Sequence, residues 1–335
     1  MFIGGGFGPW KHPPVHETLT LAALIASDYK LDRKTTYNKA IQEYDYDNLE
    51  FLRGIVWNDD PACMLFNDEG LFAPKSDNFS RGLGKDWFVK FSDGHVFDVD
   101  CTKNGWFGHK NIIARSHFGD LQFLHSMADE PGELPEETKR KILNWIEVMY
   151  KLAIGEISVQ TTLRNVELTR DDGDSIFPLR DLFDAATIPN HHCTIHSFLT
   201  ADHAYVNVKH DCRALGSCMH VIQDSYARGH CHRPVKDDGP PKRFGEVENF
   251  HSFRGQNSEE HTKYDFGAEE GLEDHDCSDI SRFEEMDGCT DAIDKCTTLI
   301  NFWCRKAPWE EVLAWLRVDV FAVSEDATAS NTNVD

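Results

Sequence analysis

The sequence lacks several features that mark common protein classes. No run approaches the ~18 apolar residues that a membrane span needs, so we expect no transmembrane segment. The opening residues, MFIGGGFGPWKHPPVHE, lack the basic segment and the apolar stretch of a signal peptide. We therefore predict a cytoplasmic protein, and a secreted form stays open if a leader precedes this sequence.

Metal-binding cysteine pairs and an excess of basic residues are also missing. None of the ten cysteines forms a C-x2-C pair, which argues against a zinc finger or ribbon, and we expect reduced thiols. Lys and Arg number 34 against 57 Asp and Glu, which gives a net charge of −23. Such a surface repels phosphate backbones, so we do not expect stable binding to duplex nucleic acid. The oligomeric state is left open.

The sequence does contain helical patterns. The segment PEETKRKILNWIEVMYKLAIG begins at Pro135, has acidic residues in its first turn and ends at Gly155, as helices do. Further helices are predicted in the segments 16–27, 37–57, 197–228, 258–266, 286–304 and 308–323. No βαβ alternation occurs, so we predict an all-α, multi-helical single domain over residues 1–323.

Two parts of the chain do not fit the helical pattern. Residues 58–116 are rich in glycine, aspartate and aromatic residues, and DWFVKFSDGHVFDVD alternates as a hairpin would. We predict an irregular insertion there. The final residues, 324–335, are small and polar, and we predict a disordered tail.

The stretch MHVIQDSYARGH holds His220, Asp224 and His230 in the pattern H-x3-D-x5-H. Residues four apart lie on one face of a helix, so His220 and Asp224 would point the same way. If the helix ends at Gly229, the chain can turn and bring His230 beside Asp224. Taken alone, such a pair is more often an ordinary surface or core pair than a metal site.

The same residue types recur in four other segments. In chain order these are His16 in HETLTLAALIA, Asp59 in WNDD, His117 in SHFGDLQFLHS, and His261 with Asp265 in HTKYD. Imidazole nitrogen and carboxylate oxygen are ligands that zinc prefers, and a catalytic zinc site keeps positions open for water. These companions favour the interpretation of the H-x3-D-x5-H stretch as part of a metal site.

This ordered set resembles the zinc-dependent phospholipase C and single-strand-specific nuclease superfamily. HETLTLAALIA looks like the first helix of the nuclease members, and WNDD looks like their W-A-D segment. SHFGD is similar to the SHFYD of the phospholipases, HTKYD to their HSKYE, and the H-x3-D-x5-H spacing is identical. The resemblance covers roughly residues 10 to 270 and implies that family's all-α fold with two to three zinc ions.

The resemblance also implies a ligand set. One zinc takes Asp59, His117, His220 and Asp224; a second takes His230, His261 and Asp265; a third takes His16 and shares Asp224. In the family, an N-terminal tryptophan also holds the third zinc. The sequence as printed begins with Met1 instead, so His12 is a candidate substitute unless this zinc is weak or absent.

The implied chemistry is hydrolysis of a phosphate ester by a metal-bound hydroxide, with Asp59 as general base or water-orienting group. Candidates for substrate binding are Phe118, Asp60 and Arg228. Ala62 stands where nucleases often place a phosphate-binding arginine, and Asp60 where phospholipases tend to have tyrosine.

We predict a zinc-dependent phospholipase-C-like phosphodiesterase that acts on a small-molecule or lipid phosphoester. The alternative within the same fold is a single-strand nuclease or nucleotidase. An alternative of another class is a non-hydrolytic metal enzyme or a binding module that reuses the zinc cluster. The simplest alternative is a helical protein whose histidines merely pack, which would bind no stoichiometric zinc.

Overall fold

A computed structural model of the chain describes residues 13–31, 35–42, 46–63, 87–93, 111–169, 176–178, 193–200, 208–265 and 271–333. Helix dominates this part of the chain, which confirms the all-α class. The α-helices are α1 (Val15–Ala26), α2 (Tyr37–Gln42), α3 (Tyr46–Trp57), α4 (Ile112–Phe118), α5 (Pro135–Ile154), α6 (Ile195–Leu199), α7 (His210–Asp224), α8 (Ser258–Tyr264), α9 (Ser281–Glu284), α10 (Cys289–Cys304) and α11 (Trp309–Trp315).

Shorter elements connect these helices. The 3₁₀-helices are Gln122–His125, Leu163–Asn165 and Leu272–Asp274, and a π-helical turn, Leu316–Val320, follows α11. The strands are β1 (Glu167–Thr169), β2 (Ile176–Pro178), β3 (Cys231–His232), β4 (Val235–Asp237), β5 (Arg243–Phe244) and β6 (Asn249–Phe250). They pair antiparallel as β1 with β2, β3 with β6, and β4 with β5.

Helix α7 lies at the centre of the fold. Every residue from Cys212 to Asp224 is buried, which is the mark of a helix covered on all sides. It packs against α1, α3, α5 and α10. Because α7 carries His220 and Asp224, these two candidate ligands lie on a helix that its neighbours cover on all sides.

Helix α5 begins and ends as its sequence predicts. Pro135 occupies the first turn beside the acidic Glu136 and Glu137, where the helix dipole favours negative charge. Gly155 ends the helix with a φ of 86°, a left-handed conformation that glycine adopts without steric cost. Trp145 of this helix donates its indole N–H to Ser217 Oγ at 3.1 Å, which ties α5 to α7.

The prediction of an irregular insertion over 58–116 is wrong for two segments. Residues 87–93 are helical, and α4 occupies 112–118, whereas 64–86 and 94–110 lie outside the described residues. Within DWFVKFSDGHVFDVD the predicted hairpin is wrong for residues 87–93, which form a helix with Trp87 and Phe91 stacked at 5.0 Å on one face. Alternation over a short aromatic run does not separate strand from helix.

The helix predicted over 197–228 is two shorter ones. Helix α6 ends at Leu199 and α7 begins at His210, with 201–207 outside the described residues. Helix α7 ends at Asp224, five residues before Gly229. Residues 225–230 form turns instead. The helix therefore ends earlier than the position of Gly229 indicates, and a longer turn leads to His230.

The prediction of a disordered tail over 324–335 is wrong as far as residue 333. The Asn249 amide donates to the backbone oxygens of Thr328 and Ala329, at 3.2 and 2.7 Å. Ser330 exchanges backbone hydrogen bonds with the segment before α5, through Gly132 and Glu133. Polar residues that hydrogen-bond to other backbones do not need an apolar pattern to be ordered. Residues 334–335 lie outside the described residues.

Most of the buried apolar side chains form one continuous core from Val15 to Phe321. A smaller cluster of Ala62, Trp87 and Ile113 lies beside it. Among the described residues, no helix combines the length and apolar content that a membrane crossing requires.

Candidate metal centre

Six histidines and three aspartates gather into three groups whose potential ligand atoms lie within 4.8 Å of one another. Each group combines two histidines with one aspartate. We name them the Asp224 group (His16, His220, Asp224), the Asp59 group (Asp59, His117, His125) and the Asp265 group (His230, His261, Asp265). All nine side chains are buried, and only His117 and His261 retain as much as 5% exposure.

Different elements deliver these side chains. Helix α7 presents His220 and Asp224 four residues apart, as the sequence spacing predicts. Helix α1 presents His16, the turn after α3 presents Asp59, and α4 presents His117. The remaining ligands come from short irregular elements: the 3₁₀-helix Gln122–His125, the turn after α7, and α8 with the residue that follows it.

Five of the six histidines are oriented in the same way. In each, Nδ1 lies within hydrogen-bond distance of a carbonyl or amide oxygen. The pairs are His16 with Gln223 Oε1 at 2.8 Å, His117 with Ile113 O at 2.7 Å, His220 with Ile55 O at 2.5 Å, His230 with His125 O at 2.8 Å, and His261 with Gln256 Oε1 at 2.7 Å. Because these oxygens accept, Nδ1 carries the proton and Nε2 is left with its lone pair. Histidines that bind metals are commonly oriented by such an outer hydrogen bond.

Four of these rings are held in the neutral form by burial. Burial lowers the pKa of His117 and His230 to about 4, so both rings are neutral at pH 7. Burial also lowers the pKa of His220 and His261. A neutral ring with its proton on Nδ1 presents only a lone pair at Nε2.

These lone pairs face carboxylate oxygens. Nε2 lies 3.3 Å from Asp224 Oδ1 in His16, 3.6 Å from Asp59 Oδ1 in His117, and 3.5 Å from Asp265 Oδ1 in His230. Two hydrogen-bond acceptors with no proton between them repel each other. A cation bound between them replaces this repulsion with attraction to both. Ligand atoms about 2.1 Å from a tetrahedral zinc ion are separated by about 3.4 Å, which matches these distances.

Several buried atoms of the centre make no hydrogen bond to a described residue: both carboxylate oxygens of Asp59, Asp224 Oδ1, His125 Nε2 and His230 Nε2. A buried polar atom without a partner is costly, so the arrangement fits bound cations. The donor set of imidazole nitrogen and carboxylate oxygen suits zinc among the transition metals, although it does not identify the ion.

The two central carboxylates experience opposite influences. Burial raises the pKa of Asp59, and the nearby Asp224 carboxylate raises it further. Burial also works against ionisation of Asp224, but the four imidazoles around it, those of His230, His220, His125 and His16, together outweigh burial and hold its pKa well below the usual range. A metal ion bound beside them would favour the ionised form of both carboxylates.

The structure brings together all eight predicted ligands that lie among the described residues, and His12 lies outside them. The predicted grouping differs for the ion beside Asp59 and His117, because neither His220 nor Asp224 belongs to that group. His220 lies 2.9 Å from Asp224 Oδ2 and 3.8 Å from Asp59 Oδ2, so its group is that of His16 and Asp224. His125 takes the place that His220 was expected to fill beside Asp59 and His117.

His125 is the residue that sequence reasoning missed. It stands eight residues after His117 at the end of SHFGDLQFLHS, a segment already identified by its first histidine. A turn and a 3₁₀-helix separate the two residues, so neither helical nor strand periodicity relates their side chains. The sequence signal that could have identified His125 is that it is the second histidine of the segment SHFGDLQFLHS.

The predicted substrate-binding residues lie in different environments. Phe118 is 5% exposed and packs edge-on against Phe91 and Phe253. Asp60 is completely buried next to Asp59. Arg228 is 38% exposed, lies over the Tyr264 ring and is 3.8 Å from Asp287, which is an ordinary surface arrangement.

Comparisons with protein-family models, with curated proteins and with solved structures found no match to this chain.

Proposed function

We propose that the chain is a zinc-dependent hydrolase of phosphate esters, a phospholipase-C-like phosphodiesterase of the zinc-dependent phospholipase C and single-strand nuclease type. The observation that carries the proposal is the set of buried imidazole lone pairs that face carboxylates in three adjacent groups. Histidines that merely pack would turn an N–H toward a carboxylate. The chain order of these ligands and the H-x3-D-x5-H spacing add support.

The Asp224, Asp59 and Asp265 groups would each hold one ion. Bound zinc would supply a water of lowered pKa and would offset the negative charge that develops on the phosphate. Asp224 suits a bridging role because its Oδ1 faces His16, whereas its Oδ2 faces His220 at 2.9 Å and His230 at 3.5 Å. One carboxylate thus contacts residues of two groups and keeps them adjacent.

Asp59 is our candidate for the general base. Neither of its carboxylate oxygens accepts a hydrogen bond from a described residue, so they are available to an ion and to an attacking water. The indole of Trp87 donates to the Asp59 backbone oxygen at 3.0 Å, which holds the turn in place.

The direction of substrate approach follows from exposure. Among the nine ligands, His117 and His261 keep the most accessible surface. Aromatic rings flank both: Phe91 lies 5.1 Å from the His117 ring and Phe253 lies 4.8 Å from the His261 ring. Phe91 and Phe253 are half-buried, so a substrate reaching the ions would pass an apolar, aromatic surface.

This aromatic surface favours a second candidate as well. Nucleobases stack on aromatic rings, so a single-strand nuclease or nucleotidase of the same fold would also use Phe91 and Phe253. The charge of −23 opposes long polyanions, and Ala62 is buried against Trp87 and Ile113, where it offers no phosphate contact. These two features favour a small or lipid phosphodiester.

The test is zinc analysis followed by a substrate panel of phosphatidylcholine vesicles, single-stranded DNA, single-stranded RNA and a simple phosphomonoester. We expect Asp59→Asn to lower kcat on the active substrate by about 100-fold or more while circular dichroism is unchanged. Asp291→Asn is the control because Asp291 is a buried aspartate that bonds Arg243 and the Phe244 backbone, outside the three groups. Bound zinc with no hydrolysis of any substrate would overturn the proposal in favour of a non-hydrolytic enzyme or binding module.

A further inference from the structure

His125 differs from the other five histidines of the centre in having no outer oxygen partner on Nδ1. Its Nδ1 lies 3.0 Å from His220 Nε2 and 3.0 Å from Asp224 Oδ2, and its Nε2 lies 3.6 Å from Asp59 Oδ1. Both ring nitrogens therefore face other residues of the centre. The side chain is 1% exposed, and Nε2 makes no hydrogen bond to a described residue.

The backbone around His125 is held firmly against α7. Ser126 follows it in a left-handed conformation, with φ 51° and ψ 35°, which costs a non-glycine residue energy. Ser126 Oγ donates to Val221 O at 2.6 Å, and the His125 carbonyl accepts from His230 Nδ1 at 2.8 Å. Strain kept at a buried turn beside candidate ligands is typical of a functional position.

We propose that His125 is a metal ligand of the Asp59 group and that it makes the three-ion centre independent of residues 1–12. This inference rests on the metal centre of the proposed function and goes beyond it by assigning a ninth ligand. His125 Nε2 and His117 Nε2 lie at equal distances of 3.6 Å from the same oxygen, Asp59 Oδ1. Two imidazoles and one carboxylate around one point form a complete catalytic zinc set with an open position for water.

The number of donor residues in each group is the reason why the centre would not need residues 1–12. Without His125, the Asp59 group would have two residues and would need His220 as its third. His16 and Asp224 would then need a donor from elsewhere, such as His12 or an N-terminal group. With His125 present, His220 is available to complete the Asp224 group, and each group has two histidines and one aspartate.

Zinc content of purified variants tests this proposal. We expect about three ions per chain in the full chain, in His12→Ala and in a deletion of residues 1–12, but about two in His125→Ala. His251→Ala is the matched control: His251 is 2% exposed, its Nδ1 pairs with Asn331, and it belongs to none of the three groups. This control should keep about three ions.

Two results would overturn the proposal: three ions retained in His125→Ala, or a loss of one ion on deleting residues 1–12. If His125→Ala fails to fold, anomalous scattering at the zinc edge from crystals of the unaltered chain gives the answer. We expect a peak at bonding distance from His125 Nε2, and three peaks with none beside His125 would contradict us. The substrate panel tests the proposed function independently of zinc content. A protein with the expected zinc content but no activity would refute the phosphodiesterase function and leave His125 as a metal ligand.

Discussion

Gly229 lies directly against His261, and this contact is the reason for a glycine in the turn between Asp224 and His230. A Cβ at position 229 would lie 3.1 Å from the His261 backbone oxygen and 3.3 Å from its Nδ1. The Gly229 carbonyl also accepts from Gln256, whose Oε1 in turn orients the His261 ring. The constraint is therefore one of space rather than of backbone conformation.

We expect Gly229→Ala to weaken the Asp265 group selectively, because the new methyl presses on His261 and on its orienting hydrogen bond. The affinity for one zinc should fall about 10- to 100-fold while the other ions are retained, as measured by competition with a chelator. Gly229→Val should show a larger loss.

Gly245→Ala provides a matched comparison for the Gly229 variants. Its Cβ would lie 3.2 Å from Pro234 Cγ, an equally tight contact that is formed with residues outside the three groups. Equal zinc loss in both variants would show that the effect is a general consequence of crowding rather than a property of His261.

At the scale of elements, the α3–α7 contact sets the geometry of the centre. Helix α3 leads into Asp59, and α7 carries His220 and Asp224. The helices approach closely because Gly54 and Gly216 face each other: a Cβ at 216 would lie 2.6 Å from Phe51 O. This approach lets His220 Nδ1 reach the Ile55 carbonyl of α3. A buried ion pair between Arg213 and Glu50, at 2.8 Å, joins the same two helices.

Gly216→Ala tests this contact through the sign of its effect. Alanine favours helix over glycine by about 1 kcal/mol, so propensity alone predicts stabilisation. We expect destabilisation of about 1–3 kcal/mol instead, because overpacking separates α3 from α7. Denaturant unfolding of the zinc-loaded protein measures this difference, and an unchanged or higher midpoint would contradict the close-contact explanation.

At the scale of the whole molecule, we expect ion binding at the three candidate groups to be coupled to the stability of the fold. The nine ligands lie in the interior on elements that span the chain from α1 to the end of α8, and their carboxylates are buried close together. Ions that bind only the folded chain stabilise it by mass action.

We expect removal of zinc by a chelator to lower the melting temperature at pH 7 by about 10 °C or more. The metal-free protein should also lose stability as the pH falls from about 6.5 to about 4. In that range the unfolded chain takes up protons at His117 and His230, whereas the folded chain does not do so until about pH 4. These lowered pKa values therefore leave the stability of the metal-free protein unchanged above about pH 6.5 and reduce it progressively below that pH.

The zinc-loaded protein is the control for the pH series, since bound ions keep the imidazoles unprotonated over part of this range. Melting curves at several pH values, with and without chelator, separate the two states. Identical melting temperatures in both at pH 7 would argue that the histidines only pack, with no ion among them.

Local sequence patterns indicated most of the helices and eight of the nine side chains of the three candidate groups. The ends of α5 follow from Pro135 and Gly155, and the facing of His220 and Asp224 follows from four-residue spacing, because helical geometry depends on near neighbours along the chain. The residue types of the ligands likewise indicate their chemistry without coordinates.

Only the tertiary structure decided which ligands share a group. His125 joins Asp59 because a 3₁₀-helix and a left-handed Ser126 turn it toward α7, and His220 thereby belongs with His16. The order of residues 324–333 depends in the same way on partners such as Asn249 and Glu133, far away along the chain. Local sequence patterns contain neither the grouping of the ligands nor the partners of the C-terminal segment. Both depend on contacts between segments that are far apart along the chain and that only the packing of the whole core brings together.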